Sequence, residues 1–331
     1  MPTDPQTQHE WVVRSINIHG IFFERWCQSV VEEADGWSLD AVNYPVEFPP
    51  PNGRWRGKES ALDIRASRDL GDQRLSLLVE CKKNNPEFVD WIFFQKPGKR
   101  SSKKFIVSVV GNTLRDPPAR GWTTTSGLQP LTSTFPIADE ARETRADYVE
   151  HRNSGTKTKT ANAAIHDAAH QVSLATQAVI HEDTVLSQRL SDVSTSAQPP
   201  WHEKLYFPMI VTTAKLFTCE FDPKEVDPGT GEVAADAVTI LPTEAVVFEY
   251  PLPRHLQSDP RDIGASYREG RVDEFTRQHI IVVQSRHFPT FLRAFYGSSE
   301  VPSGVPSGLP ESGPDAAQSG SGAAARDAER P

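Results

Sequence analysis

The residues best equipped for chemistry sit at the end of a greasy segment. LLVECKK, residues 77–83, runs from Leu77, Leu78 and Val79 directly into Glu80, Lys82 and Lys83. Side chains of a strand alternate between faces, so Glu80 and Lys82 share one. A carboxylate and an ammonium there could together hold a divalent cation, orient a water and balance phosphate charge. The plain alternative is a strand that simply surfaces into solvent. The tripeptide alone cannot decide, because one E-x-K is expected by chance in roughly 300 residues. A rival, Asp222-Pro223-Lys224, reads as a turn, since Pro223 has no amide for a ladder.

The elements around the motif carry more information. Residues 60–66 and 75–82 read as two strands, with Gly71-Asp72 as a hairpin tip. A two-residue tip puts Asp63 opposite Glu80. Opposed carboxylates repel, and an ordinary sheet avoids them. They make sense with a divalent cation between them, Mg²⁺ preferring one or two carboxylates plus waters and phosphate oxygens. Two acids and Lys82 on one patch suit phosphodiester hydrolysis.

Upstream, residues 9–34 show helical periodicity through Phe22, Phe23, Trp26, Cys27, Val30 and Val31, stopped by Gly36. WSLDAVNYPVEF reads as a first strand. After the hairpin come a short apolar stretch, FVDWIFF, and a strand, KFIVSVV. Residues 112–160 are polar and rich in turn formers, as expected of a long loop or insertion. A second helix over 160–181 presents Ile165, Ala168, Ala169, Val172, Ala175 and Val179 as one small-residue face. YFPMIVTTAKLFTCEF, AVVFEYPL and HIIVVQS read as further strands, DPKEVDPGTGE as an exposed turn, and FPTFLRAFYG as a short helix. The order predicts an α/β (α+β) chain with helices on the faces of a sheet.

These residues carry a resemblance. ALDIRA followed by LSLLVECKK resembles the PD-(D/E)XK nuclease superfamily, and within it the Mrr-type restriction endonucleases. Those also carry a helix of the form G-x-x-F-E before a glycine turn, here GIFFERWCQSVVEEADGW with Glu24 as the acid. The likeness covers residues 20–83 and departs at Leu62, where the family has proline. It implies a restriction-endonuclease-like mixed central sheet flanked by helices. The nuclease-like domain would span 1–296, with its core in 9–110 and 160–217, an insertion at 112–160 and extra strands and a helix in 218–296. It implies that Asp63, Glu80, the Cys81 carbonyl and Glu24 hold Mg²⁺ or Mn²⁺. Lys82 would be the catalytic lysine, and Gln171 would lie near the site. The activity implied is a metal-dependent deoxyribonuclease of restriction or phage defence, with DNA or RNA and endonuclease or exonuclease action left open by the residues. The acidic total charge points to a homodimer or a partner protein for targeting.

Composition bounds this reading. The formal net charge of −9 argues against a protein that coats polyanions generically. The one acid-free basic run, QKPGKRSSKK, offers Lys96, Lys99, Arg100, Lys103 and Lys104 as backbone contacts or as a solvated loop. Cys27, Cys81 and Cys219 form no CxxC and suit reduced cysteines in a cytoplasmic protein. No secretory signal or membrane span is visible. From residue 297 the chain is Gly, Pro, Ser and Ala with almost no large apolar residue, which predicts a disordered tail. Two alternatives stay in view. One is a nuclease-like module that binds nucleic acid or protein without cutting. The weaker one is a zinc metallopeptidase built on His166 and His170 of IHDAAHQ, with Asp167 between them.

Overall fold

A computed structural model describes residues 5–18, 20–47, 59–71, 73–84, 90–95, 107–114, 122–129, 135–144, 163–193, 203–257 and 276–295. The chain divides into two compact units, Met1–Gly297 and Ser298–Pro331, the second wholly outside the described residues. The expected disordered tail and the basic residues Lys96, Lys99, Arg100, Lys103 and Lys104 also lie outside them.

The expected helix over 9–34 is two helices, α1 (Pro5–Ile18) and α2 (Ile21–Glu32). Gly20 adopts φ 79°, a left-handed conformation that interrupts helical hydrogen bonding and that glycine reaches without strain. Strand β1 (Ser38–Glu47) then leads into the hairpin of β2 (Glu59–Leu70) and β3 (Gln73–Lys82). The hairpin pairs Leu70 with Gln73 and Ile64 with Val79, the register that a two-residue tip demands, and Gly71 at the tip has φ 62°.

The remaining elements are β4 (Asp90–Gln95), β5 (Val107–Leu114), β6 (Trp122–Gln129), β7 (Ile137–Thr144), α3 (Ala163–Val193), β8 (Glu203–Thr212), β9 (Lys215–Phe221), β10 (Val238–Thr243), β11 (Ala245–Pro251), β12 (Arg277–Gln284) and α4 (Phe288–Ala294). A ten-stranded mixed sheet runs β1-β2-β3-β8-β12-β11-β7-β4-β9-β10, and β5 and β6 pair separately. Residues 112–160, expected as loop or insertion, therefore hold β6 and β7. β7 is an interior strand despite its polar sequence, IADEARET. From Glu140 it alternates, with Ala141 and Glu143 buried and Glu140 and Arg142 outside, and a bulge in its ladder with β4 returns Ala138 to the same core. β12 and β11 lie at the centre of the sheet, β12 pairing parallel with β8, although 218–296 reads in sequence as an addition after the core.

Helices cover both faces, so the fold is mixed α/β with a central sheet between them. α3 lays Ile165, Ala168, Ala169, Val172, Ala175 and Val179 onto Leu62, Leu78, Ile210, Phe248 and Val282. Its alanines carry no side-chain bulk, which lets the helix approach the strands closely. The opposite face buries Ile64, Leu77, Val79, Met209 and Val247 under Cys27 and Val31 of α2 and Phe288, Phe291 and Leu292 of α4. Each such Leu, Val or Phe contributes about 1.5–3 kcal/mol by leaving water. Among the described residues, no helix is long and apolar enough to cross a membrane.

β2 does not alternate all the way along. Leu62 packs under α3, yet Ile64 and Ala66 pack on the opposite face. A regular strand would send residues 62 and 64 to the same side. The ladder to β1 pairs Val42 with Ile64 and Tyr44 with Leu62, and between them stands Asn43 at φ 46°. Both strands thus switch faces at one point, and the residue of β2 at that point is Asp63.

Candidate active site

The face switch sets Asp63. The β2–β3 pairing stops at Ile64↔Val79, so Asp63 and Glu80 are not a regular ladder pair as the hairpin register alone suggests. Instead the Asp63 carboxylate accepts a 2.6 Å hydrogen bond from the Cys81 amide, replacing the next ladder bond with a side chain. A strand residue's N–H and C=O leave on the same side, so the Cys81 carbonyl borders the same gap. The next residue points its carbonyl the other way, toward β8, where it accepts from the Thr213 amide at 3.2 Å.

Glu80 and Lys82 follow β3 to its end on the α3 face, Glu80 only 5% exposed. The Lys82 ammonium donates to Glu80 Oε1 at 3.3 Å and to Gln171 Oε1 of α3 at 3.0 Å. The residue after it is anchored elsewhere: the Lys83 ammonium donates to the Asn17 carbonyl at the end of α1. Glu24, in the first turn of α2, approaches from the opposite helix layer. An ideal Cβ on Gly20 would sit 3.7 Å from both Glu24 Oε1 and Lys83 Cβ, so this helix start abuts the strand end.

The electrostatics follow from crowding three acids around one lysine. Burial is the main reason the Asp63 pKa rises to about 6, with the Glu24 charge adding to it and the Cys81 amide and Lys82 opposing. Glu80 is pushed up to about 8, first by burial and then by Asp63, with Lys82 pulling the other way and Glu24 adding a smaller push. The site carries more carboxylates than its single ammonium balances, and it has little water to screen them. A divalent cation among such donors would favour the ionised acids that the protein alone resists.

Among the described residues, no three His, Cys, Asp or Glu side chains converge closely enough to hold a metal. A Mg²⁺ site would need fewer, one or two carboxylates with carbonyl, water and substrate oxygens, and Asp63 and Glu80 are the two that could supply them. A zinc helix needs a third side-chain ligand. His166 instead lies edge-on to Phe248 with centroids 6.0 Å apart and beside Tyr250, while the ring of His170 meets that of His255 at 5.7 Å.

The structure therefore brings Glu24, Asp63, Glu80, Lys82 and Gln171 together and leaves the histidine pair on the β11 side of α3. It also adds contacts with no sequence signal. The Cys81 thiol is held well above its ordinary pKa by a hydrogen bond with Cys27 and by burial, which makes it a packing group between α2 and β3 and not a nucleophile. Asn43 could have been suspected, because asparagine tolerates the left-handed region better than other non-glycine residues. Compared with family models, with characterised proteins and with solved structures, the chain matches none.

Proposed function

We propose that this chain is a divalent-metal-dependent nuclease with a restriction-endonuclease-like core. The observation that carries the reading is the buried pair Asp63 and Glu80 beside the Lys82 ammonium, within the influence of the Glu24 charge, at the gap where β2 and β3 part. Asp63, Glu80 and the Cys81 carbonyl are the groups suited to hold Mg²⁺ or Mn²⁺, with Glu24 supporting them. The bound cation would supply Lewis-acid stabilisation of phosphoryl charge and a more acidic water. Lys82, fixed between Glu80 and Gln171, is suited to orient the attacking water and to offset charge that builds on the phosphate. Gln171 is a positioning residue, because its amide oxygen bonds the ammonium. DNA as substrate and a role in restriction or phage defence rest on the resemblance of the motifs, and the cytoplasm as compartment rests on the free cysteines Cys27, Cys81 and Cys219.

Cleavage of plasmid and single-stranded DNA in Mg²⁺ or Mn²⁺ tests this, using wild type, Lys82→Ala and His166→Ala. Cleavage by wild type and His166→Ala but not by Lys82→Ala is the expected pattern. Metal binding without cleavage of any nucleic acid would turn the assignment to a binding module. Zinc dependence lost with His166→Ala would turn it to a peptidase.

A further inference from the structure

A pocket of about 640 Å³ opens at the sheet end that carries Lys82. Its position follows from the ladders. Lys82 pairs with Thr212 of β8, and Thr212 pairs with Gln284 of β12, which lines the pocket. Two inter-strand steps of about 4.8 Å put the Gln284 backbone roughly 10 Å from that of Lys82. The pocket wraps around the sheet end toward α4, where Ala245 belongs to the opposite core layer and Phe135 packs against Phe291 at 5.6 Å. The chain itself makes the same connection. The Thr213 amide donates to the Lys82 carbonyl, and Lys215 and Phe217 further along that segment enter the pocket wall.

The lining is chemically mixed in a particular way. Phe135 and Phe217 are half-buried aromatic walls. Lys215 and Arg286 are exposed at the rim, and neither has an ion pair among the described residues. Among the described lining residues the one acid is Glu244, and it meets His287 at 3.3 Å. Flat aromatic walls with unpaired cations at the mouth suit a group with a planar π-face joined to an anion. A nucleotide unit is such a group. The volume falls within the roughly 300–1,000 Å³ of small-molecule sites and admits one extruded base, whereas stacked base pairs could not enter.

We infer that this pocket is a substrate subsite that takes an unpaired base flanking the scissile phosphate, so that the substrate is single-stranded or locally unpaired nucleic acid. The inference rests on the nuclease reading of the Lys82 cluster. Phe217 and Phe135 stack the base, and Lys215 and Arg286 contact the adjoining phosphates.

The test is fluorescence anisotropy with the full chain carrying Lys82→Ala in Mg²⁺, against a labelled single-stranded oligonucleotide and a blunt duplex of the same sequence. Phe217→Ala and Arg286→Glu are added separately; Arg286 is exposed, so it reports even if Phe217→Ala loosens the fold. The expected result is preference for the single strand, a loss of about tenfold in each variant and unchanged duplex affinity. Arg286→Glu should also lower the salt dependence of single-strand binding by about one phosphate contact. Unchanged single-strand affinity in both variants overturns the subsite, as does a wild-type preference for duplex. The parent reading is scored separately, by cleavage with Lys82 intact. A chain that cuts while both variants bind normally keeps the nuclease and loses the subsite; one that binds as expected but never cuts keeps the subsite and loses the nuclease.

Discussion

Two polar clusters lie on the same face of the sheet, under the same helix, at opposite ends of β3 and β8. One is Asp63, Glu80, Lys82 and Gln171, with Glu24 reaching in. The other gathers around Asp183 of α3, which accepts from Arg65 at 3.1 Å, from Tyr206 at 2.7 Å and from Lys204. Next to it Tyr44 donates to Glu182 at 2.7 Å, and the Arg65 guanidinium lies 5.3 Å from the Tyr44 ring centre. The Asp183 cluster balances two acids against two cations. Burial still holds the Lys204 pKa below its ordinary value, with Asp183 opposing and Arg65 and Arg74 adding to the fall, but each cation here has an acid in contact. The Lys82 cluster is left with an excess of acid, and burial lifts both Asp63 and Glu80. A balanced buried cluster fastens α3 to the sheet. An unbalanced one leaves buried acids that resist ionisation, as the proposed metal site would require.

That contrast breaks most sharply with single substitutions. Lys82→Ala should lower metal-dependent cleavage at least a hundredfold, on the order of what a positioned proton-transfer group contributes, with little loss of fold; initial rates and thermal melting check both halves. Asp183→Ala should do the reverse, costing about 3–5 kcal/mol in denaturant unfolding by leaving buried cations without their acid. Equal stability losses for the two variants would erase the distinction.

The pH response separates the clusters further. Asp63 and Glu80 have raised pKa values, so the folded chain binds more protons than the unfolded chain between the ordinary carboxylate range and about pH 8. Stability is therefore full below that window and falls as pH rises through about 6 and then 8. The slope is on the order of 1 kcal/mol per pH unit for each proton. Metal-free melting from pH 5 to 8.5 should show the decline, Mg²⁺ should reverse it, and Glu80→Gln should flatten it while raising metal-free stability at pH 8. The smallest effect concerns the face switch. Asn43→Val should cost about 1–2 kcal/mol at φ 46°, and Asn43→Gly much less, by denaturant titration.

Local patterns made part of this legible. The hairpin tip set the β2–β3 register, because a two-residue turn leaves one pairing. Apolar periodicity announced the packing face of α3, while on α2 it marked Cys27 and Val31 correctly but also Phe22 and Trp26, which are exposed. The strand running into Glu80 announced where its acid would emerge. Other features had no local signature. IADEARET reads as polar loop, yet two alanines and Glu143 at its inward positions suffice for an interior strand. Glu143 is kept there by accepting the Ile165 amide at the start of α3, 2.9 Å away. The place of β12 beside β8 depends on parallel pairing between distant segments, which leaves no mark on either sequence.

The amino-acid sequence alone determined which chemical groups could meet: two acids and a lysine near the open end of one hairpin, and a third acid at the start of a helix. Short-range geometry suffices there, because strand alternation and turn length fix neighbours within a few residues. Only the tertiary structure decided how they meet. The switch of faces at Asn43 and Asp63 turned an expected pair of opposed carboxylates into one bound to the Cys81 amide and one bound to Lys82. The docking of α2 and α3 on opposite faces brought Glu24 and Gln171 to that point. Burial between those layers, which no single segment contains, is what makes the acids resist ionisation and turns a strand end into a site.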